Sequence, residues 1–235
     1  MAKKFRVKTK LNAFDKFIIG LFKLFKGKHK LINLAGEPIE KRSIIVGIHR
    51  NASGPINYSM YFGGISMVWA AHQMTEKYRA RWKYAYHTFY RQKIGYGKLK
   101  SLILATLLAF VAPLAYGIPG IIPVYYDQRV LTTFKYSMEV LNDDYAVVIF
   151  PEAAENGYAS QIETVNTGFI ELAKIYFKKS GIDVPIYATY LGKKPKKRIV
   201  IGKPLYYQEL AKTYSDPEIA EIFRKYINSL SEIID

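Results

Sequence analysis

The stretch SIIVGIHRNASGP, residues 43–55, ends an apolar run in one imidazole, one guanidinium and a small polar turn. A histidine, with an ordinary pKa of ~6.5, is the side chain best suited to take and return a proton near neutral pH. Where a strand ends and a helix begins, such a ring stands at the place where open α/β sheets bind their ligands. A helix starting at Gly54-Pro55 also points main-chain N–H groups toward an anion or a developing oxyanion. The chemistry predicted for His49 is therefore general-base catalysis beside an anion-stabilising turn. A histidine hydrogen-bonded within a turn has the same sequence, and both readings stand at this point.

Other chemistries drop out. The chain has no cysteine, which removes disulfides, thiolate catalysis and cysteine-ligated zinc. Its four histidines, His29, His49, His72 and His87, show no metal-ligand spacing, so no cofactor or metal is expected. The net charge of +16 calls for a polyanionic partner. With no helix-turn-helix, RRM or zinc signature, nucleic acid is not expected. Residues 1–30 carry ten Lys/Arg against the single acid Asp15. Leu11, Phe14, Ile18, Leu21, Phe22 and Phe25 recur there at helical spacing with lysines interleaved. That pattern predicts a helix lying on an anionic membrane surface. No secretory signal pattern is visible, so the expected location is the cytoplasmic side of a membrane, peripheral or monotopic.

The elements that must position His49 read as alternating strands and helices. Strands are expected at 43–49, 65–70, 120–126, 145–152, 184–192 and 197–202. Helices are expected at 131–142, at 166–181 closed by Gly181, and at 216–234 with Asp216 as cap and Pro217 at its first position. Continuous apolar strands between helices predict an α/β fold: a mixed, mostly parallel sheet flanked by helices. Residues 1–35 form an amphipathic extension and 36–235 the α/β domain. Residues 102–124 carry no charge and are long enough to span a bilayer. Pro113, Pro119 and Pro123 interrupt them, predicting a buried or interfacial helix of about a dozen residues that leads into a strand. Residues 78–98 mix aromatics with cations and fit a lipid surface or an acidic carrier protein.

The order of these landmarks resembles the 1-acylglycerol-3-phosphate acyltransferases and their lysophospholipid acyltransferase relatives. Four blocks carry the resemblance across roughly residues 40–228. They are His49-Arg50-Asn51-Ala52-Ser53-Gly54 for the family's His-x4-Asp, GIIPVYYDQR from Gly120 to Arg129, FPEAAENGY from Phe150 to Tyr158 for Phe-Pro-Glu-Gly-Thr-Arg, and Val184-Pro185-Ile186. The resemblance implies a glycerolipid acyltransferase-like fold and O-acyl transfer. A fatty acyl group would move from an acyl-CoA or acidic acyl-carrier-protein thioester to the hydroxyl of a lysophospholipid or related lysolipid acceptor. His49 and Glu152 are then the expected catalytic residues. Arg50 and Arg129 are expected to hold phosphate, and Asn51, Gly54, Pro151, Asn156 and Tyr158 to line the acceptor site. Two departures stand out. Gly54 replaces the family Asp, and Ala153-Ala154-Glu155 replaces Gly-Thr-Arg. In serine-protease-type triads, loss of the orienting carboxylate costs roughly 10⁴ in rate, so a catalytically impaired lipid-binding relative of the same fold is the alternative reading.

Overall fold

The structure is a computed structural model that describes residues 12–26, 30–49, 53–62, 66–117, 120–152, 159–192 and 197–233. Its elements, in chain order, are α1 (Ala13–Lys26), β1 (Lys30–Asn33), β2 (Ile44–Gly47), α2 (Ser53–Phe62), β3 (Ser66–Ala71), α3 (Tyr78–Lys83), a π-helix (Tyr84–Lys93), α4 (Lys98–Gly117), β4 (Ile121–Val124), α5 (Val130–Asn142), β5 (Ala146–Ile149), α6 (Gly168–Ser180), β6 (Pro185–Leu191), β7 (Arg198–Tyr206), α7 (Tyr207–Leu210) and α8 (Asp216–Ser229).

The described strands form one mixed, mostly parallel sheet in the order β1-β7-β6-β2-β5-β3-β4. Strands β6, β2, β5, β3 and β4 run the same way, while β7 pairs antiparallel with β6 and parallel with β1. The α/β expectation is met. Strands β2, β5 and β6 are buried along their whole length, as strands covered on both faces must be, and this is why they read as unbroken apolar runs. Helices α6 and α8 turn Phe169 and Phe223 toward each other, edge to face at 5.0 Å.

Four details depart from expectation. Residues 30–33, assigned to the extension, form edge strand β1 against β7. This strand is mostly exposed and carries no alternation to reveal it. The cap of α8 is Ser215, which forms a reciprocal capping box with Glu218 and leaves Asp216 in the first turn. That helix ends at Ser229. Finally, α4 continues through Pro113. Proline has no N–H for the Ala109 carbonyl, and Arg81 Nε donates to that oxygen instead at 3.1 Å. The orphaned acceptor is thereby satisfied, and α3 is fastened to α4.

Candidate active site

Strand β2 ends at Gly47, and His49 follows two residues later, just ahead of α2. Two contacts fix the main chain there. The His49 N–H donates to the Glu152 carboxylate, 103 residues away, and the His49 carbonyl accepts the Gly54 N–H at 3.0 Å. Strand β5, the neighbour of β2, delivers Glu152. Beyond its last residue the chain passes through Phe150 and Pro151, where proline stops the ladder. A returning segment then pins it: the Pro151 carbonyl accepts the Asn166 N–H at 2.8 Å, and Glu152 bridges Val165. The first and third blocks of the sequence thus meet at one point of the sheet edge.

Aromatic rings wall the site. The half-buried His49 ring lies edge-on to Phe150 at 5.2 Å and tilted to Phe89 at 6.4 Å. Phe150 packs edge-on against Tyr58 at 5.1 Å. Tyr58 is fully buried and donates to Thr189 Oγ1 at 2.6 Å, which in turn donates to the Val46 carbonyl at 2.9 Å. Burial, with the Glu152 charge adding to it, lifts the Tyr58 phenol far above its usual range. It is a neutral prop rather than a proton donor. Its seat requires Gly47, since a Cβ there would lie 2.2 Å from the Tyr58 oxygen.

Gly54 has an equally specific reason. A Cβ at this position would lie 2.1 Å from the His49 carbonyl oxygen and 2.7 Å from its carbon. No side chain fits without moving the backbone, so the family Asp has no room in this turn. The His49 carbonyl holds the Gly54 N–H, so that amide is engaged within the turn. Pro55 has none to offer. Further along α2, Asn57 is buried, and its Oδ1 has no hydrogen-bond partner among the described residues.

Lys93 is not among the site residues expected from the sequence. The structure brings it in. The π-helix lays Phe89 over His49, and Lys93 follows on the same helix about one turn later. Burial lowers the half-buried Lys93 ammonium from the ordinary lysine value, and the Glu152 carboxylate opposes that shift. The two charges are within electrostatic reach of each other. No local pattern in residues 84–93 announces this, because the approach depends on how the helical hairpin between β3 and β4 folds back.

Arg129 is placed elsewhere. It stands at the start of α5, beyond edge strand β4, three strand positions from β2 and so about 14 Å along the sheet edge. Its fork grips both Asp127 carboxylate oxygens, with Nη2 at 2.7 Å, and its guanidinium lies 4.3 Å from the Tyr125 ring centre. The expected phosphate ligand is thus already engaged by a carboxylate two residues before it. Asp-x-Arg spacing was the signal for that pairing. Arg50, Asn51, Asn156 and Tyr158 lie outside the described residues.

No family model matches the sequence, and no curated protein does. Among solved structures, the chain is similar to the crystal structure of the 1-acyl-sn-glycerophosphate (LPA) acyltransferase PlsC from Thermotoga maritima, at 11% identity and a TM-score of 0.46, over 92% of this chain and 81% of that one.

Proposed function

We propose that the protein is an acyltransferase moving a fatty acyl group from an acyl-CoA or acyl-carrier-protein thioester to the hydroxyl of a lysophospholipid or related glycerolipid acceptor. The observation that carries this reading is the junction of His49 with Glu152. A histidine at the sheet edge is held through its main chain by a carboxylate from the segment that follows the neighbouring strand, beside the rings of Phe150 and Phe89.

In this reading the His49 imidazole takes the acceptor hydroxyl proton as that oxygen attacks the thioester carbonyl. The tetrahedral intermediate collapses by breaking the C–S bond. The departing thiolate receives the proton from the imidazolium, so an ester and a free thiol leave the site. Glu152 acts as a positioning residue, because it fixes the strand end from which the ring projects. Lys93, beside Glu152, supplies the cation for an acceptor phosphate. No metal or redox group has a role. The basic residues ahead of β1 meet an anionic membrane surface, which supplies the acceptor at the cytoplasmic face.

A second reading, a lipid-binding relative without turnover, is favoured by one observation: the turn at Gly54 excludes the carboxylate that orients the family histidine. Purified protein incubated with labelled acyl-CoA or acyl-carrier protein and a panel of lysolipids separates the two. Acyl transfer that disappears in His49→Ala is the expected result. Transfer unchanged in His49→Ala, or no transfer with any pair, overturns the catalytic reading.

A further inference from the structure

Helix α4 is built inside out. The residues it turns toward the protein are small: Ser101, Ala105, Ala109 and Ala112 are all fully buried. Its large apolar residues face outward, with Leu99, Leu107 and Phe110 at 70%, 57% and 78% exposure, and Leu102 and Ile103 also exposed. The spacing of these five makes one continuous helical stripe. In water, this arrangement leaves the larger hydrophobic area unburied, so a stripe of this kind marks an interaction surface. A rim suited to an interface adjoins it. Trp82 donates from Nε1 to Thr106 on α4 at 3.0 Å and stacks on Tyr86 at 5.2 Å. Amphipathic rings of this type sit where one end is apolar and the other wet.

The charge on the same hairpin is one-sided. From Lys77 to Tyr126 the sequence contains no Asp or Glu. Lys77, Arg79, Lys83, Arg91, Lys98 and Lys100 are exposed. Lys98 and Lys100 flank Leu99 at the first turn of α4, and the Lys100 ammonium lies 3.7 Å from the Tyr96 ring centre. None of the described helices is long and apolar enough to cross a membrane. The helix is 20 residues long and would lie in the plane of an interface rather than through it.

We infer that the outer face of α4, with Trp82 and Tyr86 at its edge, docks in the plane of an anionic lipid bilayer. Aliphatic side chains enter the acyl boundary there and the hairpin lysines meet lipid phosphates. Charge complementarity selects an anionic bilayer over a neutral one. The breadth of the aliphatic stripe selects lipid over an acidic protein, whose contacts would centre on the cations. The assignment deepens the membrane part of the reading above and does not require turnover. Because α4 packs on the helix that lays Phe89 over His49, docking here sets the candidate site beside the lipid surface.

The test is partition of the full chain onto phosphatidylcholine vesicles with and without phosphatidylglycerol, read by flotation and by tryptophan emission. The chain has two tryptophans. Trp69 packs against Phe134 and bonds Ser137, so a blue shift quenched by brominated lipid reports Trp82. Wild type is expected to partition onto the phosphatidylglycerol vesicles with that shift. The double variant Leu107→Gln, Phe110→Gln is expected to lose at least tenfold in partition with unchanged circular dichroism and melting, because both side chains are exposed. Phe14→Gln with Phe17→Gln on α1 is expected to lose less. Equal partition by the α4 variant and wild type overturns the inference. So does absence of vesicle binding by wild type, whether the stripe then drives self-association or binding to an acidic carrier protein. Vesicle binding without acyl transfer removes the enzymatic reading and keeps this one. Transfer to a soluble short-chain acceptor without vesicle binding does the reverse.

Discussion

Two histidines follow strand ends on the same edge of the sheet, and their surroundings differ in kind. His72, at the end of β3, stacks on Tyr125 at 4.9 Å, with Nδ1 3.3 Å from the Val124 carbonyl and Nε2 3.6 Å from Glu76. Asp127 and Arg129 pair beside it in solvent. Each charge there has a local partner a few residues away in sequence or on the adjoining strand. His49 is held by long-range contacts instead: a carboxylate from another strand, a phenylalanine from the π-helix and another from the end of β5. Both rings are half-buried; the difference is that the His72 cluster is closed by partners close in sequence or on the adjoining strand, while His49 is gripped from several distant elements.

The sharpest way to break this contrast is to remove each ring in turn. His49→Ala is expected to lower kcat/KM for acyl transfer by roughly 10² to 10⁴, the range general-base catalysis supplies, while His72→Ala leaves it within about twofold. Equal losses in the two variants would erase the distinction between the sites.

Glu152 comes next. Its carboxylate accepts a partly buried main-chain N–H, and a hydrogen bond to a charged group is worth roughly 1.5–3 kcal/mol. In Glu152→Ala the melting temperature should fall, at roughly 2–4 °C per kcal/mol for a chain of this size. Activity should fall about 10²-fold through misplacement of the ring. Glu152→Gln keeps an acceptor oxygen and should recover most of the stability. If Glu152→Gln is as unstable as the alanine variant, the bond to the His49 N–H is not what Glu152 contributes.

Lys93 distinguishes binding from chemistry. Lys93→Met should raise KM for phosphate-bearing acceptors about tenfold, a loss of about 1.4 kcal/mol in binding, with kcat little changed. The sign of its pH dependence follows from its environment. Burial lowers the ammonium's pKa below its ordinary 10.5, so the charge is lost at lower pH than for a free lysine. KM should therefore begin to climb with rising pH before 10.5 is reached. Lys93→Arg should move that climb upward, since guanidinium stays charged. For stability the same shift means that holding Lys93 charged has a cost below its folded-state pKa. The cost is relieved as pH rises from there toward 10.5. A flat KM profile in wild type would take the cation out of the site.

Gly54→Asp completes the family motif on paper and should not complete it in the molecule. Its Cβ would meet the His49 carbonyl, and relieving such overpacking costs about 1–3 kcal/mol. The expected result is a lower melting temperature and severalfold lower activity. A gain in activity would show that the turn moves freely and that the glycine is a lost carboxylate rather than a backbone requirement.

The central strands were legible because burial on both faces leaves no polar alternation. Ile44-Ile45-Val46 and Ala146-Val147-Val148-Ile149 announce themselves. His49 and Glu152 were named through the resemblance, and what brings them together is the pairing of β2 with β5, which the sequence does not state. Three other features were not legible. Strand β1 is short and exposed. The approach of Lys93 depends on the path of a hairpin whose aromatic and basic residues carry no single periodicity. The contact between Gly54 and the His49 carbonyl is set by backbone turn geometry, and a Gly-Pro dipeptide specifies a bend without specifying what lies over it. Arg129 is the opposite case. Its partner stands two residues before it in the sequence, and the fork of donors sought for phosphate was already matched to a local carboxylate.

Arg129→Ala should therefore have the smallest effect. The pair with Asp127 is exposed on both sides, and exposed pairs contribute little to stability even with good geometry. The Arg129 partner holds the Asp127 carboxyl down to about 2. Whatever stability the pair adds is present above the ordinary Asp value of 3.8 and is lost as pH falls through about 2, outside any assay range. Acyl-transfer kinetics should change less than twofold, and KM should show no added salt dependence. A tenfold rise in KM for phosphate-bearing acceptors, absent for uncharged ones, would mean that Arg129 releases Asp127 when substrate arrives. The two ends of the sheet edge would then form one site rather than two.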